Sequence, residues 1–195
     1  PRGTNVCRSR MLFKVKMKRG MIDKFKARFV CCGFSQRRGI DWFENFAPVA
    51  RIESARTLIA LCAGKNLTLK MVDFVAAFLQ VEMNTDVYIE LPHGMSRRDE
   101  NDRQLVGKLK KALYGSRQAS RLWSLKLGNW LVKQGFKQSE TDRCIYVKTF
   151  ADGTYIVIST YVDDCLAGHT TSDAGSAHYA DFMRDLEADF DVKDM

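Results

Sequence analysis

Two adjacent carboxylates, Asp163 and Asp164, interrupt an otherwise uncharged stretch in YIVISTYVDDCLAG (155–168). The first seven residues are β-branched or aromatic apart from small hydroxyls, which marks a strand, and Leu166-Ala167 resumes the apolar run. Neighbouring carboxylates at the tip of a buried hairpin repel each other and lose hydration, a cost that a hard divalent cation or strong donors would offset. Turn chemistry is the plainer alternative, because Asp bonds its own backbone and tolerates unusual dihedrals. A third acid, Asp73, closes the alternating stretch LTLKMVDF (67–74). Asp is a poor strand former, so at this position it is a cap for the next element, a placed carboxylate, or both.

Opposite chemistry dominates the N-terminal part. Up to Arg38 there are twelve basic residues with only Asp23 opposing them. Residues 10–17 (RMLFKVKM) and 22–31 (IDKFKARFVC) alternate basic with apolar around Lys18-Arg19-Gly20, which predicts a hairpin with one basic face. Lys24, Lys26 and Arg28 fall at period two on that face, which suits phosphates. Net charge is +8 over 195 residues. Residues 1–139 carry 27 Lys and Arg against 11 Asp and Glu, while 140–195 carry 4 against 12. That asymmetry points to a polyanion held by the first part and local work for the carboxylates of the second, against the blander reading of a solvated basic surface.

Periodicity predicts the helices and strands that carry these groups. A helix is expected over 53–63 (ESARTLIALCA), a strand over 67–74, a short helical turn at 76–79, and short strands at 87–89 and from 104. Residues 117–135 have helical apolar spacing with Gly135 as C-cap, and are expected to form the longest helix, with Arg117 and Arg121 on its first turns where backbone amides favour anions. Residues 144–149 and 154–161 pair across Asp152-Gly153. An amphipathic helix over 173–188 and a last strand at 190–193 complete the chain. The hydrophobic fraction of 46% supports a real core. Six cysteines without Cys-x-x-Cys spacing suggest reduced thiols in an intracellular protein rather than zinc or disulfides. No apolar run reaches membrane-spanning length, and the absence of an initiator Met suggests a fragment.

Four segments, KARFVCCGFSQ (26–36), MVDFVAAFLQ (71–80), KLKKALYGSRQASRLW (108–123) and YVDDCLAG (161–168), occur in an order and at spacings that resemble the reverse transcriptase of copia-type LTR retrotransposons. The resemblance runs from about residue 10 to the C-terminus. It implies an α+β right-hand polymerase with an antiparallel palm sheet packed on helices and the thumb absent. Fingers are expected over 1–66 and palm over 67–195, with a fingers-like excursion at about 82–112. Implied partners are an RNA or DNA template with its primer, deoxynucleoside triphosphates, and the rest of a Pol polyprotein (thumb, RNase H, integrase), with no membrane. The implied location is intracellular, in a cytoplasmic virus-like particle if the element is active.

By motif, Asp73, Asp163 and Asp164 match the palm acids that hold two magnesium ions, for which manganese can substitute. Lys26 and Arg28 match contacts to the incoming triphosphate, where a guanidinium fork fits well. Phe78 matches the bulky residue under the sugar, with a core aromatic as its alternative. Phe74, Tyr114, Gly115 and Gln118 fall in the implied nucleotide site, and Tyr161, Val162, Arg117 and Arg121 on the primer and template side. Departures are Ser116 and Ser120 where the family usually has Leu and Pro, Val75, Ala76 and Gln80-Val81 within the run after Asp73, and Cys31-Cys32 for Ala-Lys. Two rival functions stay open: a non-catalytic nucleic-acid-binding remnant, and a metal-dependent phosphotransfer or nuclease domain. The latter lacks a general base near the acids, since the histidines are His93, His169 and His178.

Overall fold

The computed structural model describes residues 4–92, 94–95 and 97–194. In chain order the strands are β1 (Val6–Cys7), β2 (Ser9–Lys18), β3 (Met21–Cys31), β4 (Leu67–Phe74), β5 (Tyr88–Ile89) and β6 (Gly107–Lys108). They continue with β7 (Lys137–Gln138), β8 (Ile145–Thr149), β9 (Tyr155–Tyr161), β10 (Asp164–Thr170) and β11 (Val192–Asp194). The helices are α1 (Ile52–Gly64), α2 (Ala119–Lys133) and α3 (Asp173–Asp189). This is the expected α+β class.

The chain forms two compact units. One takes the N-terminal part to Phe46 with Val81–Leu122, and the other takes Ala47–Gln80 with the chain from Trp123 onward. The boundary falls after Phe46, so α1 groups with the carboxylate-bearing sheet, where its Leu58 and Cys62 are buried against Val157. In the first unit β2 and β3 make a separate two-stranded ribbon, and β1, β5 and β6 a small sheet in which β1 and β5 run parallel. Alternation divides the ribbon cleanly. Lys14 stands opposite Lys26 and Lys16 opposite Lys24, while Val15 stands opposite Phe25 and Phe13 opposite Ala27. One face is therefore cationic and the other apolar.

The second unit is a six-stranded antiparallel sheet in the order β11-β4-β10-β9-β8-β7. Its two faces are both covered. α1 packs on one, with Leu67, Ile145, Val147 and Leu166 around Leu58 and Cys62. The fit is close enough that a Cβ at Gly168 would lie 2.5 Å from Cys62 Sγ. The opposite face buries Val72, Phe74, Ile158, Cys165 and Ala167 under Leu127 and Leu131 of α2 and Phe182 and Leu186 of α3.

Two expectations change. The longest helix is α3 with 17 residues, capped by the Ser172 hydroxyl accepting from the Gly175 N–H, whereas α2 has 15. α2 also starts at Ala119, so Arg117 lies ahead of it and not on its first turn. Nothing in the sequence signals β1 or β7, since two residues carry no alternation to read.

Candidate functional site

β4 reaches the site by alternation. Val72 and Phe74 are 2% exposed under α2 and α3, so Asp73 between them projects from the α1 face. β10 runs antiparallel beside it with Asp164 directly opposite Asp73, and β9 places Tyr161 opposite Asp164 on the far side. On β11, Lys193 stands opposite Asp73. One row of four side chains, Lys193, Asp73, Asp164 and Tyr161, thus crosses four strands at one end of the sheet. Cβ atoms directly opposed across an antiparallel pair lie about 4.5–5.5 Å apart, close enough for two carboxylates to feel each other strongly. Asp163 sits in the turn before Asp164, and its carbonyl accepts the Phe74 N–H at 2.8 Å. All three acids are therefore brought together, although ninety residues separate the first from the others.

Electrostatics registers the crowding. Burial, then the charges of Asp163 and Asp73, push the Asp164 carboxyl above its ordinary value. A divalent cation would relieve that stress, so the donor set suits a hard metal. Among the described residues, however, no three His, Cys, Asp or Glu side chains are grouped to hold a metal ion by themselves. Asp73 and Asp164 stand side by side in a row and do not surround a point.

The turn between Tyr161 and Asp164 has two residues, Val162 and Asp163, and Val162 has φ of 52°. A β-branched side chain is rarely found in that left-handed region. The Trp123 indole N–H donates to the Val162 carbonyl at 2.5 Å. Trp123 is 2% exposed and is gripped edge-on by Phe74 and Phe190, with ring centroids 4.9 and 5.7 Å away. Sequence reasoning missed this contact, because a tryptophan on the apolar stripe of a helix reads as core. Lys193 was missed too, since register across strands distant in sequence is invisible in the chain.

After Asp73 the chain makes a short 3-10 turn, Ala77–Gln80, in which Phe78 is 8% exposed. Gln80 clamps this loop: its amide donates to the carbonyls of Val75 and Asp191 and accepts the Asp191 N–H. Phe74, expected in a nucleotide site, faces away from Asp73 into the aromatic core. Beside Asp164 runs a groove of about 500 Å³, bounded by Val49 ahead of α1, by Ile52 and Ala55 at its start and by Met71, Tyr161 and Leu166 of the sheet.

The first unit holds the other expected residues. Arg28 lies over the Tyr114 ring, 5.3 Å from its centroid, so these two are brought together; Lys26 shares the cationic face of the ribbon. Gly115 has φ of 85°, and a Cβ there would sit 2.2 Å from the Cys31 carbonyl oxygen. Its lack of a side chain is thus required by a close approach of the protein's own backbone. Gln118 is 1% exposed; it donates to the Asp41 carbonyl and accepts from Gln36, so its amide serves the interior of this unit. Arg117 donates from Nε to the Gly33 carbonyl, and its backbone N–H goes to Gln36. Arg121 pairs with Glu44 and donates to the Phe46 carbonyl. Gln118 and Arg121 are engaged by these contacts, while Arg117 commits its Nε and is itself exposed.

The whole chain, residues 1–195, matches the family described as reverse transcriptase (RNA-dependent DNA polymerase). The chain belongs to that family. It is 34% identical over its full length to the retrovirus-related Pol polyprotein from transposon TNT 1-94 of Nicotiana tabacum, of which it covers 14%. It is 36% identical over 90% of its length to the corresponding polyprotein from transposon RE1 of Arabidopsis thaliana, covering 12% of it. With that from transposon RE2 of the same plant it shares 34% identity over 75% of its length, covering 10%. The resemblance to copia-type retrotransposon reverse transcriptases is therefore borne out. The chain spans about a seventh or less of these relatives.

Proposed function

We propose that the chain is the fingers and palm of an RNA-directed DNA polymerase, which extends a primer on an RNA or DNA template by adding deoxynucleotides to its 3′ end. The observation that carries this reading is the row in which Asp73 and Asp164 face each other with Asp163 beside them. In the proposal the six-stranded sheet with its helices is the palm, and the basic ribbon belongs to the fingers.

Asp73, Asp163 and Asp164 would hold two magnesium ions, or manganese in their place. Bound there, the ions would make the primer 3′-hydroxyl a better nucleophile and neutralise the charge of the departing pyrophosphate. Few protein ligands are needed, since magnesium retains waters and takes substrate oxygens. This accommodates a row of acids that does not encircle a cation. The chain's own residues do the rest. Arg28, stacked on Tyr114, and Lys26 offer charge to the triphosphate, and the groove beside Asp164 offers an apolar bed to the primer end. Phe78 walls the sugar. The site would work within a Pol polyprotein, inside an intracellular virus-like particle.

Primer extension with magnesium and a heteropolymeric RNA template tests the reading. The wild-type chain should extend the primer, and Asp73→Asn should reduce extension to background while circular dichroism and melting stay near wild type. Template-primer binding without extension by the wild type would favour the binding-only remnant. Extension undiminished in Asp73→Asn would refute the site.

A further inference from the structure

We infer that Trp123 is a positioning residue for the carboxylate turn, acting by fixing the orientation of the Val162–Asp163 peptide. The inference rests on the polymerase reading for its catalytic consequence but not for its structural content. In a two-residue hairpin turn the central peptide is the weak joint. It can rotate as a unit while the flanking strands stay paired, exchanging one primed turn type for the other. Here that peptide is the one whose carbonyl belongs to Val162, because Tyr161 and Asp164 form the last pair of the β9–β10 ladder. Rotation would change ψ of Val162 and φ of Asp163 together, and so swing the Asp163 carboxylate away from the row.

Within the turn, what opposes this is moving Asp163 to a positive φ, a region that Asp tolerates. Val162 occupies a left-handed conformation that a β-branched residue disfavours, but the rotation leaves that φ unchanged, so this strain does not hold the peptide in either orientation. The indole N–H of Trp123 meets the carbonyl of that same peptide, and only one of the two orientations presents it. The donor itself cannot follow a rotating carbonyl. Trp123 is buried, with Phe74 and Phe190 against its ring. Phe74 follows Asp73 directly, and its N–H binds the Asp163 carbonyl. One aromatic cluster thus fixes the strand end bearing the first acid and the turn that carries Asp163 into Asp164.

The test is Trp123→Phe, which keeps an aromatic ring in the packing and removes the donor. Trp130→Phe is its control, because it deletes another indole N–H of the same helix, one that bonds Asp189 at 2.7 Å. Amide hydrogen exchange at Val162, Asp163 and Asp164 should accelerate by about tenfold in Trp123→Phe, the scale of one lost hydrogen bond, with exchange in β9 and β10 unchanged. In primer extension kcat should fall by a similar factor while KM for the nucleotide stays within about twofold. Trp130→Phe should leave turn exchange and kcat alone. Unchanged turn exchange in Trp123→Phe, or a uniform acceleration across the sheet, would overturn the inference and leave Trp123 as packing. If the wild-type chain extends no primer, the polymerase reading fails, and the exchange measurement still decides the positioning role.

Discussion

Asp164 is held in a state that folding alone disfavours. Its carboxyl is raised by burial and by the neighbouring charges of Asp163 and Asp73. A group whose folded pKa lies above its unfolded one costs stability as pH rises from the ordinary carboxylate value through the raised one, and costs nothing below both. Asp164→Asn removes the charge and keeps the shape. It should therefore raise the melting temperature by about 2 °C at neutral pH, a gain that disappears in scans run below the ordinary carboxylate range, while primer extension is lost. Addition of magnesium should stabilise the wild type and not the variant. Phe78 presents a different test. Buried in the turn after Asp73, it serves as core, as sugar wall, or both. If it walls the sugar, Phe78→Val should raise ribonucleotide relative to deoxyribonucleotide incorporation, because the smaller side chain admits a 2′-hydroxyl. If it is core alone, the ratio stays fixed and stability drops by about 2–3 kcal/mol.

Among the elements, α1 decides how the carboxylate face is covered, and a single acid tethers its start. Asp142 accepts from the Ser54 hydroxyl at 2.5 Å and from the Cys144 N–H at 2.9 Å. Burial works against its charge, but the bonds from Ser54, Cys144 and Arg51 prevail and hold the carboxyl below its usual range. A depressed folded pKa gives stability that is present above the unfolded value and is lost as pH falls through the folded one. Asp142→Asn should thus lower stability by about 1 kcal/mol at neutral pH, the carboxyl being only part-buried. The difference from wild type should shrink steadily in melts taken at falling pH. A difference independent of pH would mean that geometry, not charge, ties α1 down. The β2–β3 ribbon carries the opposite charge, with lysines opposed to lysines on one face. Cross-strand like charges weaken a sheet, so the ribbon gives up stability to present a cationic surface.

For the molecule as a whole the charge distribution is the relevant quantity. The excess of sixteen positive charges over residues 1–139 should make template-primer binding fall linearly in logarithm with the logarithm of salt, with a slope of about −0.9 for each phosphate neutralised. Filter binding or anisotropy across a salt series would show it, and a flat profile would remove charge as the source of affinity. Replacing Lys24 and Lys26 together should flatten the slope by about 2 without changing sequence preference.

Residue types alone were enough to mark the motifs and most of the elements. Strong alternation marked β2, β3 and β4, a β-branched and aromatic run marked β9, and helical spacing marked α1, α2 and α3. Four motif blocks sufficed to identify the family. Adjacency between segments far apart in the chain came from the folded arrangement and from nothing else. That Asp73 stands opposite Asp164, that Lys193 joins their row, and that Trp123 reaches the Val162 carbonyl depend on strand order and register. Folding also gave motif residues partners that the chain does not show: Phe74 turns into the core because neighbours on a strand face opposite ways, and Gly115 and Gln118 meet backbone and amide partners within their own unit. Side-chain type shows what chemistry a residue can do, but the direction in which it points is set by the strand that carries it and by what that strand packs against.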